Sequence, residues 1–165
     1  MSNTKTLLIE GEINSQMSEK VRNFLKPLLA ERNQRIVFYI NSEGGNLESL
    51  RRIKSYMYFM TKYKGHKFIG RLVYGESAAL LLFLNCDERE VKEGESVGKI
   101  HLPILNRAGD LKKLQDERED QISFIMRRTK NKVSWQQVLD MENKKLYAND
   151  LVSLGFATKK VIDFS

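Results

Sequence analysis

The sequence predicts a single α/β domain, residues 1–165, with a largely parallel sheet. Its apolar residues alternate along the chain between the spacing of a buried strand and the spacing of a helix. The alternation gives the order β-α-β-α-β-α-β, which is typical of parallel strands joined by right-handed crossover helices. A chain of 165 residues is long enough to bury one hydrophobic core, and its sequence shows no internal repeat or linker.

The individual elements follow from short runs of residues. Apolar runs predict strands at residues 6–10, 35–41 and 68–74, with a further short strand near Val91. Helical spacing predicts helices at residues 15–31 and 47–62, and a buried helix after Ser77. Loops at the carboxyl ends of parallel strands line the functional crevice. We therefore expect Gly44-Gly45 and Gly75-Glu76-Ser77, which follow two of the strands, to lie there.

The composition argues against several classes of protein. One cysteine excludes an internal disulfide, and together with two histidines it offers few ligands for a zinc site. No apolar segment approaches the length of a membrane span, and the first residues do not form a signal peptide, so we expect a cytoplasmic protein. The net charge of +7 would suit a polyanion. The basic residues are dispersed, however, which favours a solvated surface over a nucleic-acid groove.

Ser77 is the first candidate for chemistry. A strand-like run leads into Gly75, and an apolar run that begins at Ala78 predicts a helix directly after the serine. A serine at a strand-to-helix turn can expose its hydroxyl beside the unpaired N–H groups of the first helical turn. Nucleophilic serines need that setting, but a plain N-cap serine before a core helix has the same pattern. Both interpretations stay open on this stretch alone.

Two further features are expected at the same crevice. The Gly44-Gly45 pair can direct an N–H group into it, or can simply form a strand-to-helix turn. The loop matches neither a Walker pattern nor a dinucleotide-binding pattern. His101 follows Ser77 after enough residues for a helix and one more strand, which would return the chain to the crevice. A histidine between apolar neighbours is also typical of a core residue, whereas His66, in a basic loop, is expected to be solvated.

Taken together, these features resemble the proteolytic subunit of the Clp protease and the wider family of Clp-like and signal-peptide-peptidase-A-like serine peptidases, which share a crotonase-type fold. Residues 7–13 are similar to the family's first strand and its Gly-acid turn. Residues 37–45 are similar to its signature before the glycine pair, with Glu43 where proline is usual. Residues 100–103 resemble the segment that carries the catalytic histidine, and residues 146–157 the helix that leads to a glycine and the last strand. The likeness covers residues 6–162.

The resemblance implies a serine endopeptidase that needs no metal or organic cofactor. It implies these roles: nucleophile, Ser77; general base, Nε2 of His101; oxyanion hole, the backbone N–H groups of Gly45 and Ala78. A competing alignment matches Gly75 to the glycine four residues before the family's serine, puts Ala79 at the nucleophile position and would make the chain inactive. We favour the alignment through Ser77, because it also keeps Asp87 and Gly98 at the spacing of the signal-peptide-peptidase-A-like branch.

The third member of the triad falls on Asn143, where the family usually has aspartate. An asparagine oxygen can hold an imidazole N–H, but it cannot offset the charge of an imidazolium as a carboxylate does. Asp140 and Glu142 lie close enough in sequence to take its place. The resemblance therefore predicts a weak or conditional peptidase that cleaves peptide bonds by Ser-His acyl transfer. The alternative is a catalytically impaired Clp-like pseudoenzyme or a structural subunit of a protease ring.

The resemblance also implies partners. The expected substrate is a peptide or an unfolded protein, and the expected assembly is a homo-oligomeric ring. Residues 109–128 look like the long helix that projects and pairs subunits in this family. Because the first predicted strand lies almost at the beginning of the chain, we expect the chain to lack the family's axial-loop segment. Nothing in the sequence indicates an ATP-driven unfoldase partner, and we expect no association with a membrane.

Overall fold

One sheet of seven strands forms the centre of the computed structural model, which describes residues 4–103 and 110–164. The strands are β1 (Thr4–Glu10), β2 (Arg35–Ser42), β3 (Lys67–Glu76), β4 (Glu88–Lys92), β5 (Val97–Lys99), β6 (Lys145–Tyr147) and β7 (Lys159–Val161). Five of them lie side by side in the order β1-β2-β3-β4-β7, and each neighbouring pair is parallel. β5 pairs in parallel with the end of β3, and β6 pairs antiparallel with β5. The predicted α/β fold with a largely parallel sheet is confirmed.

The helices connect the strands of the sheet. They are α1 (Ser15–Leu25), α2 (Leu47–Lys64), α3 (Ala78–Leu84), α4 (Leu111–Arg128), α5 (Trp135–Met141) and α6 (Ala148–Ser153). The helix predicted at residues 15–31 is shorter, because Pro27 lacks the N–H of an α-helical bond and residues Lys26–Ala30 form a 3-10 turn. The predicted start of α4 at Gly109 lies outside the described residues. Among the helices described, none is long and apolar enough to span a membrane.

α3 is the most deeply buried helix of the site region. Every residue from Ala78 to Leu84 is at most 6% exposed. Its apolar side chains join the main core with residues of β2 and β3, including Phe38 and Leu72. The burial of all sides of α3 explains why its sequence is continuously apolar rather than amphipathic. The turn that precedes α3 is therefore attached to the rigid centre of the domain.

The two halves of α4 differ in how deeply their side chains are buried. Asp110 caps the beginning of the helix, because its carboxylate accepts from the Lys113 N–H at 3.1 Å. The buried residues of α4, Gln121, Ile122 and Ile125, all lie in its second half. Residues 111–120 contain no buried side chain and carry many charges. The first half of α4 therefore contributes no buried side chain to the core.

His66 is buried, so the expectation of a solvated loop residue is wrong. It is 1% exposed. The Gln34 N–H donates to its Nδ1 at 3.0 Å, and its Nε2 lies 2.9 Å from the Leu28 carbonyl oxygen. These partners define a neutral ring with the proton on Nε2. His66 joins the segment after α1 to the start of β3, a contact that its local basic sequence does not show.

Candidate active site

Ser77 occupies the turn between β3 and α3 in a strained conformation. Its φ is 57° and its ψ is −125°, a combination that residues other than glycine rarely adopt. The Ser77 N–H donates to the Lys99 carbonyl at 3.1 Å, and its own carbonyl accepts from the Leu81 N–H at 3.2 Å. β5 and α3 thus hold the backbone on both sides of the turn. The Ser77 side chain is partly exposed.

The glycine loop after β2 packs directly on this turn. Gly44 has a φ of +95°, and a Cβ built on it would lie 2.6 Å from the Glu76 carbonyl oxygen and 2.9 Å from Ser77 Cβ. Ser42 supports the loop, because its hydroxyl donates to the Gly11 carbonyl at 2.5 Å and accepts from the Gly44 N–H at 3.0 Å. The close approach of the loop to Ser77 requires glycine at position 44.

Gly45 pairs with Ile13 in an isolated parallel bridge. Ile13 donates to the Gly44 carbonyl at 2.8 Å and accepts from the Asn46 N–H at 2.9 Å. In parallel pairing the residue between those two bonds turns its own N–H to the opposite side. A Cβ at Gly45 would overlap the Ile13 backbone. The Gly45 N–H therefore points away from Ile13, and Gly45 itself is exposed.

Ala78 supplies a second N–H group beside Ser77. It is the first residue of α3, and the first N–H groups of a helix have no acceptor within the helix. A Cβ built on Gly44 would lie 3.2 Å from Ala78 N, so the glycine loop and this N–H are neighbours. Ala79, the nucleophile position of the competing alignment, is 0% exposed within α3.

His101 shares the cleft with Ser77, but its ring does not bond to the serine. The Ser77 hydroxyl lies 3.4 Å from the main-chain oxygen of His101, a long contact. The imidazole Nδ1 lies 3.8 Å from Oε1 of Glu76, and the His101 side chain is 42% exposed. Among the residues described, no hydrogen bond joins the ring to Ser77 or Asn143. The two predicted residues are thus close together without an assembled Ser-His pair.

The three candidates for the third member lie near His101 along the chain but do not contact its ring. The exposed Asn143 has a φ of 63° and donates its N–H to the Ile100 carbonyl at 2.8 Å. The Glu142 carboxylate pairs with Arg118 at 3.1 Å. Asp140 is exposed and accepts from Gln136 on the same helix at 2.9 Å. The backbone N–H of Asn143 contacts the histidine segment directly, at Ile100.

Glu76 is the carboxylate that faces the imidazole, and the sequence analysis missed it. Its side chain is 19% exposed, and its Oε1 lies 3.7 Å from Lys99 Nζ. Its Oε2 accepts from the Tyr74 hydroxyl at 2.9 Å. Burial and the hydrogen bond to Glu76 raise the pKa of Tyr74 to about 12, so the phenol remains a donor at neutral pH. The only sequence signal was an acidic residue directly before the serine.

A cleft of about 800 Å³ joins these groups. It lies between the glycine loop, the Ser77 turn, the His101 segment and the first half of α4, and a second cavity along the glycine loop adjoins it through Glu12, Glu43 and Gly45. Within residues 4–103 and 110–164, no three His, Cys, Asp or Glu side chains are grouped so that they could hold a metal ion. The cleft therefore brings Ser77, His101 and the glycine loop to one surface.

The parallel sheet, the strained serine turn and the glycine loop packed on it define a protein of the Clp/crotonase-type α/β fold. The Clp protease family model matches residues 1–134, and the chain belongs to that family. It is similar to ClpP1 from Listeria monocytogenes, with 26% identity and a TM-score of 0.81 over 96% of this chain and 92% of that one. An asparagine-to-aspartate mutant of the same ClpP1 gives a TM-score of 0.79 at the same identity and coverage. Among curated protein sequences, none matches this chain.

Proposed function

We propose that this chain is a serine peptidase that cleaves peptide bonds by acyl transfer, with Ser77 as the nucleophile and His101 as the general base. The observation that carries the proposal is the backbone of Ser77, which keeps φ 57° and ψ −125° against the Gly44 loop. Strain of this kind persists only where the surroundings enforce it, and it is concentrated at functional sites. The complete burial of Ala79 in α3 supports the alignment through Ser77 over the competing one.

The reaction would follow from the positions of four groups. Nε2 of His101 takes the proton from the Ser77 hydroxyl as Oγ attacks the peptide carbonyl carbon. The N–H groups of Gly45 and Ala78 hold the oxyanion that forms. The imidazolium then gives the proton to the leaving amine as the C–N bond breaks, and water releases the acyl group. The ring of His101 must turn toward Ser77 for the first step, as catalytic hydrogen bonds often tighten only when substrate binds.

Asn143 is proposed as the family's third position, where it can support the His101 segment but not its charge. Its left-handed backbone is one that asparagine adopts more readily than most residues. Its N–H holds the Ile100 carbonyl, one residue before the histidine. A neutral side chain there fits a weak or conditional peptidase.

Extended segments of peptides or unfolded proteins are the proposed substrates, and a homo-oligomeric ring is the proposed assembly. Membership of the Clp protease family supports both. Residues 111–120 of α4, which bury no side chain in the core, offer such an assembly a contact surface.

A second candidate function is a pseudoenzyme or structural subunit of a protease ring. One observation favours it: the His101 ring lies near Glu76 and does not bond to Ser77. The same fold and assembly would then serve without peptide hydrolysis.

A fluorophosphonate probe, which reacts with activated serines, separates the two candidates. We expect the wild-type chain to be labelled, Ser77→Ala to abolish labelling, and His101→Ala to reduce it by several orders of magnitude. Ser153→Ala is the matched control, because Ser153 is an exposed serine whose hydroxyl donates only to the nearby Asp150 carbonyl. Labelling of Ser77→Ala at the wild-type rate, or no labelling of the folded wild type, would overturn the peptidase proposal.

A further inference from the structure

Three carboxylate or amide groups were expected to serve His101, and none of them contacts its ring. Glu142 forms an ion pair with Arg118, and Asp140 accepts a hydrogen bond from Gln136. The Asn143 side chain carries no charge. In the described part of the chain, Glu76 is the only carboxylate within 4.0 Å of an imidazole nitrogen of His101. A carboxylate on the other nitrogen of a histidine general base stabilises the imidazolium that forms during the reaction.

The Glu76 carboxylate is held in place rather than free in solvent. Tyr74 donates to its Oε2, which leaves Oε1 toward Lys99 and His101. Its backbone lies in β3 opposite Lys99 of β5, so the carboxylate and the segment that leads to His101 are fixed by the same strand pair. A carboxylate that is 19% exposed interacts more strongly with an imidazolium than one on the open surface.

We propose that Glu76 is a positioning residue for the peptidase reaction, and that its Oε1 accepts Nδ1–H of His101 and stabilises the imidazolium. The inference rests on the proposed function of Ser77 and His101. It requires Nδ1 and Oε1 to approach from 3.8 Å to hydrogen-bond distance. With its proton on Nδ1, the imidazole presents an unprotonated Nε2, which can take the proton from the Ser77 hydroxyl. Glu76 thus supplies the charge that Asn143 does not.

Glu76→Gln tests the charge, because glutamine keeps the size and can still accept from Tyr74. We expect the rate of fluorophosphonate labelling and kcat for a fluorogenic peptide to fall by about 10²-fold or more, with KM nearly unchanged. Glu90→Gln is the matched control: Glu90 is a similarly buried carboxylate, 13% exposed, in an ion pair with Arg71 outside the cleft. Equal losses in the two variants, or a wild-type rate in Glu76→Gln, would overturn the inference.

Rescue separates a role in charge from a role in folding. We expect Asn143→Asp to restore much of the activity of Glu76→Gln, because a carboxylate at the family's third position replaces the missing charge. A purely structural role of Glu76 predicts no rescue. The absence of rescue in a Glu76→Gln protein that melts like the wild type would contradict the inference.

Nitrogen-15 NMR of the histidine rings gives a readout that does not depend on activity. We expect the neutral His101 ring to carry its proton on Nδ1 in the wild type and to lose that preference in Glu76→Ala, while the buried His66 ring stays unchanged as an internal control. If the folded wild type is never labelled, the proposed function fails, and the NMR comparison still decides the contact. Identical His101 spectra in the wild type and Glu76→Ala would overturn the inference even if Ser77 proves to be reactive.

Discussion

Glu142 and Arg118 form an ion pair at 3.1 Å, and each side chain is 22% exposed. Arg118 also donates to the Pro103 carbonyl at 3.3 Å, so the pair joins α4 to the segment that carries His101. The Glu142 carboxylate is therefore paired with Arg118 of α4 and does not contact the imidazole. This arrangement gives Glu142 a structural role beside the site.

We predict that Glu142→Gln leaves fluorophosphonate labelling within about twofold of the wild type but lowers the free energy of unfolding by about 1 kcal/mol. The loss of stability follows because Arg118 keeps its charge and loses its anionic partner. Urea unfolding and labelling rates measure the two effects separately. A tenfold or greater loss of labelling would show that Glu142 serves His101 after all.

Gly44→Ala should disable the site through its backbone. The new Cβ would lie 2.6 Å from the Glu76 carbonyl oxygen, at a φ of +95° that favours glycine. We predict a loss of labelling of about 10²-fold and a destabilisation of more than about 2 kcal/mol, because both the clash and the backbone strain contribute.

Gly94→Ala is the matched control for Gly44→Ala. Gly94 also has a positive φ, +79°, but a Cβ there would meet no described atom within 4 Å. Its cost should be the strain alone, about 1–2 kcal/mol, with labelling unchanged. If the two variants lose labelling equally, contact between the glycine loop and the Ser77 turn is not the cause.

The main strands and α3 could be predicted from the sequence because their burial requires runs of apolar residues. β5 and β6 were missed, since three residues are too few to show a period and their pairing depends on contacts distant in sequence. The buried Arg89 was missed for a similar reason. Its guanidinium donates to the carbonyls of Cys86 and Phe156 at 3.1 and 2.7 Å, and a basic residue beside two acidic ones has the pattern of a solvated surface.

Site residues could be predicted where their position follows from the turn in which they lie. They could not be predicted where their position depends on how two strands are aligned in the sheet. Ser77 and Gly44 could be placed together because both follow parallel strands, and the structure brings them into contact. Glu76 could not be recognised as a neighbour of His101, because that contact requires Glu76 to lie opposite Lys99. The structure does not join the His101 ring to Ser77, so the Ser-His hydrogen bond that the resemblance implied stays a prediction.

We predict a homo-oligomer in which the first half of α4 lies at a subunit contact. Leu111 is 59% exposed there, among charged side chains that have no part in the core. Light scattering should give a mass that is a multiple of 19.2 kDa. Leu111→Glu should lower that mass, whereas Ile162→Glu, at a residue that is 90% exposed and follows β7, should not. A stable 19.2 kDa species at about micromolar concentration would contradict the prediction.

Cys86 should make stability depend on pH in the alkaline range. It lies just after α3, is 0% exposed, and donates its S–H to the Leu82 carbonyl at 3.6 Å. Burial raises the pKa of the thiol from 9.0 to about 12. The folded thiol therefore stays neutral while the unfolded one ionises above pH 9.0, so the stability that it contributes is complete below pH 9.0 and is lost as the pH rises toward about 12.

The expected contribution of Cys86 is a loss of about 1.4 kcal/mol per pH unit above pH 9.0. Lysines and tyrosines also titrate in this range, so the measurement is the difference between wild type and Cys86→Ala in urea unfolding from about pH 8 to about pH 10.5. The variant should be less stable at pH 8 because it leaves a small cavity, but its stability should fall less steeply as the pH rises. Parallel pH profiles of the two proteins would show that the thiol of Cys86 ionises as readily in the folded chain as in the unfolded one.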